Sequence, residues 1–302
     1  MNNALQHQVV CFGEVLWDIL PSGAVPGGAP MNVAYHLQKL QKNPALITRV
    51  GVDERGQALM NVFTGQNVCT DYFQVDDRHE TGKVYARADE YHEMVYEIVK
   101  PVAWDFIEWD DALADLVANA GFFVFGSLAA RNKPSKETLF RLLETAKNKV
   151  LDINLRAPHY NRRIVEQLLR KADFVKMNLA ELELITGWFS NYTSVEDRLQ
   201  SIRDKFSLTK MVVTMGGNGA LLYMDGHITR HPGFKVTVAD TVGSGDAFLA
   251  GLLSQLLDGA DHETALEFAS GLGAFIATQR GGCPDYSMDS VNDLVHRQSI
   301  EL

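Results

Sequence analysis

Short apolar runs alternate with polar stretches of helical period along this chain. Val9-Val10-Cys11-Phe12 is an unbroken apolar run closed by Gly13, the pattern of a buried strand that then bends. Pro26-Gly27-Gly28 turns the chain. Val33, Leu37 and Leu40 then recur at helical spacing, with Asn32 near the start. The stretch from Ala45 to Phe63 reads strand, polar turn, helix. This alternation predicts a parallel sheet joined by helical crossovers.

The stretch Asp71–Lys100 breaks the rhythm. Lys83–Asp89 and Met94–Val99 alternate with period two around the polar Glu90-Tyr91-His92, which predicts an antiparallel hairpin. Its polar face places it outside the main sheet, as a flap. From Gly121 the α/β rhythm returns. Strands are expected at "GFFVFGS", "KVLDINLR" and "DFVKMN", and helices near Lys136–Lys147, near Arg162–Leu169 and at "LAELELITG". "KMVVTMGGNGALLYMDG" follows, and two long helices fall inside Asp246–Gln279. No repeat, low-complexity tract or linker interrupts the chain. The expectation is one α/β domain over residues 1–302, with a β lid from segments near residues 13–26 and 71–100.

Composition narrows the function classes. The 302 residues are 46% hydrophobic and 22% charged, ordinary for a protein with a large core. The net charge of -10 and scattered bases give no electrostatic footprint for nucleic acid. Cys11, Cys69 and Cys283 are odd in number and lie far apart, so reduced thiols are expected. No basic stretch followed by an apolar one opens the chain, and no apolar run approaches the roughly 20 residues that cross a bilayer. A cytoplasmic protein with no membrane partner is the expectation.

Candidate chemistry concentrates in "VADTVGSGDAFLAGLL", Val238–Leu253. Gly243-Ser244-Gly245 and Asp246 stand at the mouth of an apolar helix. Glycines give room for backbone amides, and the first amides of a helix are unpartnered at the positive end of its dipole. Such a turn suits phosphate or developing negative charge. A capped helix behind a flexible turn fits the same letters. Asp246 separates the readings, because a carboxylate beside a phosphoryl group can orient a hydroxyl and accept its proton.

"DTVGSGDAF" resembles the C-terminal signature of the PfkB, or ribokinase-like, carbohydrate kinases, and "GGAPMNVAYHLQKL" resembles their N-terminal signature. "GEVLWD", "TDYF", "NLAELE" and "VTMGGNGALL" match between them, so the likeness covers nearly the whole chain. The resemblance implies a three-layer α/β/α core, a mostly parallel sheet and a small β-sheet lid. It implies transfer of the ATP γ-phosphoryl group to a sugar hydroxyl, with Asp246 as the base and the Val242–Gly245 amides as an anion hole. Asp240 and Thr241 would border a monovalent cation such as K⁺.

Asn178 and Glu181 match the family's Asn-x-x-Glu and would organise ATP and Mg²⁺ through water. Their spacing also fits a capping Asn followed by a solvated Glu. Thr214, Gly216 and Gly219 would let the backbone approach the nucleotide, with Gly243 and Gly245 beside them; a plain hairpin fits that turn as well. Asp18, Gly28 and Asn32 match sugar positions, their side chains offering acceptors and donors for hydroxyls. Arg156, in a D-x-N-x-R stretch, would reach a phosphate or sugar oxygen or be salt-bridged in a loop. Arg87 would contact substrate or face outward.

The overall pattern is most similar to fructokinases. A 2-keto-3-deoxygluconate kinase, with Arg87 or Arg156 on the substrate carboxylate, and a ribokinase stay open. A silent sugar or nucleotide sensor on this fold would not need Asp246. A nucleotide-dependent oxidoreductase would carry an N-terminal dinucleotide fingerprint, which is absent. A flap with one apolar face would make either a simple lid or the contact of a homodimer.

Overall fold

Strand β1 (Val9–Phe12) is wholly shielded from solvent, as expected of an apolar run covered on both faces. The computed structural model describes residues 7–21, 23–88 and 94–299. Two compact units divide the chain, Met1–Lys147 and Asn148–Leu302.

In the first unit the chain runs through β1, β2 (Leu16–Leu20), β3 (Gly23–Gly27), α1 (Ala29–Lys39), β4 (Ala45–Gly51) and α2 (Glu54–Gly65). It continues through β5 (Phe73–Asp76), β6 (Gly82–Ala88), β7 (Met94–Ile98), α3 (Asp111–Asn119), β8 (Phe122–Gly126) and α4 (Lys133–Thr145). Strands β8, β1, β4 and β5 lie side by side, all parallel. Helix α1 packs on β1, β4 and β8. A separate four-stranded sheet takes the order β3-β2-β6-β7, with β2 and β6 parallel and the outer pairs antiparallel. Along β6, Gly82, Val84 and Ala86 are buried while Lys83 and Tyr85 are less so, the alternation of a one-sided sheet.

The hairpin expected around residues 83–99 is therefore present as β6 and β7, although Glu90–His92 fall outside the described residues. One part of the 71–100 stretch behaves differently. Strand β5 pairs in parallel with β4 and extends the main sheet. Its four residues carry too short a pattern to reveal which neighbour they join.

The second unit runs β9 (Lys149–Asp152), α5 (Arg162–Leu169), β10 (Phe174–Asn178), α6 (Leu179–Gly187), α7 (Val195–Phe206) and β11 (Lys210–Thr214). It continues with β12 (Ala220–Met224), β13 (His227–His231), α8 (Ser244–Leu257), α9 (His262–Ala277) and α10 (Met288–Ser299). Strands β9, β10 and β11 are parallel, and β12 and β13 add as antiparallel neighbours. Helix α8 is buried continuously from Ala247 to Ser254 and packs along α9, which accounts for its all-round apolar sequence. Among the described residues no helix is long and apolar enough to cross a membrane.

Candidate active site

In the first unit, the turn from β3 into α1 gathers three of the expected sugar residues. Gly28 has φ +122°, and a Cβ there would overlap the Glu14 carbonyl oxygen, so only glycine fits. Its carbonyl accepts from the Asn32 amide at 2.9 Å, which starts α1 and sets the buried Asn32 one turn in. Asp18 pairs with Val25 across β2 and β3. Its Oδ2 lies over Gly27, where a Cβ would collide with it. Asp18, Gly28 and Asn32 thus meet around one turn. Arg87 sits in β6, and its side chain is outside the described residues.

In the second unit, Gly243 caps α8 with φ +75°. A Cβ there would strike the backbone of Gly282, so the glycine is required by a crossing chain as well as by its angle. Two of the four amides expected in the anion hole are engaged. Val242 N donates to Asp240 Oδ1 at 3.0 Å, and Ser244 N donates to the Thr241 carbonyl at 3.3 Å. Among the described residues, the amides of Gly243 and Gly245 donate to no protein acceptor. Those two amides, at the positive end of α8, are the ones left to meet an anion there.

Asp240 is a clasp. Its Oδ1 receives Val242 N, and its Oδ2 receives Gly281 N at 3.0 Å, tying the loop before α8 to the loop after α9. The Thr241 carbonyl accepts both the amide and the hydroxyl of Ser244. These bonds hold the loop in shape whatever ion it borders.

Asn178 and Glu181 form a capping box at α6. Glu181 N donates to Asn178 Oδ1 at 2.9 Å and Asn178 N donates to Glu181 Oε2 at 2.9 Å. The capping role of Asn178 is real, but Glu181 is buried rather than solvated, and its Oε1 accepts from Leu155 N at 2.8 Å. Burial pushes the Glu181 carboxyl above the usual range, and the nearby Asp152 adds to the shift. Thr214 lies in register beside Asn178, at the C-terminal end of the parallel strands where open α/β sheets bind ligands. The hairpin reading of the next turn holds, since β11 and β12 are antiparallel. A Cβ on Gly219 would overlap the His231 carbonyl oxygen, whereas around Gly216 the space is open.

Sequence reasoning gave no role to Lys176 or to its partner Asp152. Lys176, in the middle of β10, is buried and pairs with the buried Asp152 of β9, Nζ to Oδ2 at 2.6 Å. Burial works against the ammonium, but Asp152 and Asp246 outweigh it and keep Lys176 protonated. A charge inside an apolar strand was the available signal. Arg156 is exposed just past β9 and donates to the Leu155 carbonyl at 3.1 Å. It forms no ion pair among the described residues, so the salt-bridged alternative is not what the loop does.

Among the described residues no three His, Cys, Asp or Glu side chains are grouped to hold a metal ion. The buried, hydrogen-bonded Glu181 fits an ion held mostly through water and phosphate, the habit of Mg²⁺.

The profile of the pfkB family carbohydrate kinases matches residues 22–288. The chain belongs to this family. Within the PfkB kinases it is 31% identical to a probable fructokinase-7 of Arabidopsis thaliana, over 95% of this chain and 92% of that one. It is 29% identical to a fructokinase of Vibrio alginolyticus, over 91% of this chain and 94% of that one. Its fold matches the crystal structure of a Vibrio cholerae fructokinase solved with fructose, ADP and calcium. That match has a TM-score of 0.83 and 27% identity, and covers 96% of this chain and 99% of the other. The ribokinase-like fold class expected from the two signatures is therefore the fold observed, and this PfkB kinase is an enzyme of carbohydrate phosphorylation.

Proposed function

We propose that this PfkB kinase is a fructokinase, transferring the γ-phosphoryl group of ATP to a hydroxyl of fructose. The observation that carries the reading is Asp246 in the first turn of α8, beside two unengaged glycine amides. The fructokinase relatives, one of them solved with fructose and ADP, supply the substrate.

Asp18, Gly28 and Asn32 hold the sugar. The Asp246 carboxylate takes the proton of the attacking hydroxyl as its oxygen bonds to the γ-phosphorus. The bond from that phosphorus to the ADP oxygen breaks, and ADP leaves with the electron pair. The Gly243 and Gly245 amides stabilise the charge on the moving group. Thr214 and the open backbone at Gly216 border the nucleotide. Asn178 and Glu181 would hold Mg²⁺ through water, and the ion would supply neutralisation of phosphate charge. The loop of Asp240 and Thr241 would border K⁺, an ion present in another structure of the Vibrio cholerae fructokinase, in its double-mutant form.

Residues 1–302 act as one kinase domain, with the β3-β2-β6-β7 sheet as the lid. Val25 and Tyr96 are large apolar residues exposed on that sheet, which supports a homodimer through it. Sedimentation of the purified chain tests the dimer. None of the three cysteines is in a disulfide, which supports work in the reducing cytoplasm.

A second reading rests on Arg156, exposed and outside any ion pair among the described residues. An exposed guanidinium one residue after Leu155, whose amide donates to Glu181, suits a sugar acid, as in a 2-keto-3-deoxygluconate kinase. ADP release with ATP and a panel of fructose, ribose, glucose, tagatose and 2-keto-3-deoxygluconate decides. Fructose turning over best supports the proposal; preference for ribose or the sugar acid overturns it.

A further inference from the structure

Lys176 is a charge with no obvious reason to be where it is. Its neighbours in β10, Val175 and Met177, are buried and apolar, and a buried ion pair is no aid to stability over apolar residues of the same volume. Something other than folding accounts for it.

Three observations locate its use. The Asp152 carboxylate holds the ammonium through Oδ2 alone, while its buried Oδ1 has no hydrogen-bond partner. Nζ reaches to 3.4 Å from the place a Cβ of Gly245 would occupy, so the lysine ends against the first turn of α8, one residue before Asp246. The charges of Asp152, Asp246 and Glu181 all favour its ammonium. Asp246 also acts on Cys283: burial pushes that thiol well up, and the Asp246 charge adds to the shift, so Cys283 brings no charge of its own.

We propose that Lys176, held in place by Asp152, is a positioning residue for Asp246: its ammonium keeps the base charged and aimed while the phosphoryl group approaches. The inference rests on Asp246 being the base. Incoming phosphate charge favours protonation of a nearby carboxylate, and a fixed positive charge offsets that. Once Asp246 takes the proton and becomes neutral, Lys176 still has Asp152, so the ammonium never stands unpaired in the interior. The pair is thus stable in both states of the base.

A double-mutant cycle on the full chain tests this, reading ADP release with fructose and ATP. The variants are Lys176→Met, Asp246→Asn and the two together. Lys176→Met is expected to lower kcat about 10²-fold and leave KM for ATP and fructose within about 3-fold. The double variant is expected to match Asp246→Asn within about 3-fold, because a residue acting through the base has nothing left to act on. A further 10²-fold loss in the double variant overturns the proposal, since Lys176 would then act independently. So does a raised KM for ATP with kcat kept, which would make it a nucleotide contact. So does a Lys176→Met kcat within 3-fold of the unaltered protein. Near-normal turnover of Asp246→Asn instead removes the base reading itself. If Lys176→Met fails to melt cooperatively, Asp152→Asn with Lys176→Gln removes both charges at nearly constant volume and enters the same cycle, with the same expectations.

Discussion

Each unit buries an ion pair, and the two pairs are built differently. In the first unit, Arg131 grips Asp105 with two parallel bonds, Nε to Oδ1 and Nη2 to Oδ2, both 2.7 Å. Asp105 Oδ2 also receives Val102 N at 3.0 Å, and Arg131 Nη2 reaches the Val99 carbonyl at 2.7 Å. The guanidinium stacks on Trp104, 3.9 Å from the ring centroid. Both carboxylate oxygens are used, and the pair ties the chain after β7 to the turn after β8. In the second unit, Lys176 and Asp152 share one bond, one Asp152 oxygen is left without a hydrogen bond, and the ammonium lies against the first turn of α8. A pair whose carboxylate oxygens are both engaged ties backbone together; one with an open carboxylate oxygen leaves charge available to its surroundings. Planar Arg suits the first task and the compact ammonium of Lys the second.

The comparison can be broken in order of effect. Asp246→Asn should lower kcat about 10³-fold with little change in melting temperature, as expected of a lost base; ADP release and thermal unfolding read the two quantities. Arg131→Met should do the opposite. It leaves Asp105 buried and uncompensated, at a cost of about 3–5 kcal/mol, seen as a lower urea midpoint. The kcat of its folded protein should stay within about 2-fold. A large kcat loss at unchanged stability would mean the Arg131 pair also serves catalysis.

Gly28→Ala sharpens the contrast on the sugar side. The strained angle and the clash with Glu14 should destabilise by about 1–3 kcal/mol. The fructose KM should rise while the ATP KM holds. Equal rises in both would detach Gly28 from the sugar. His231→Gln has the smallest expected effect and tests a buried imidazole. Burial lowers the His231 pKa, with Glu267 only partly opposing. The unfolded chain therefore binds the proton more readily, and stability is lost as pH falls below about 6.5. The variant should flatten that slope in urea midpoints taken across this range. An unchanged slope would assign the acid sensitivity to other groups.

The elements were largely legible. The runs at β1, β4, β8 and β10, and the helix at α5, follow from local periodicity. Helices α3, α7 and α10 were not assigned from the pattern, and β5 was read with the flap although it pairs with β4. At the site, Asp246 and its glycines stood out because turn chemistry is local. Glu181 did not show its burial, because that depends on Leu155, which returns from the end of β9 to donate to it.

The sequence by itself determined the fold class and the glycine turn that opens α8, since hydrophobic period, glycine placement and helix-start chemistry act within a few residues. Only the tertiary structure decided which amides of the anion hole are unengaged and that Lys176 finds Asp152, 24 residues away. Hydrogen bonds and buried charges are settled by partners, and the sheet, not the neighbouring sequence, chooses those partners.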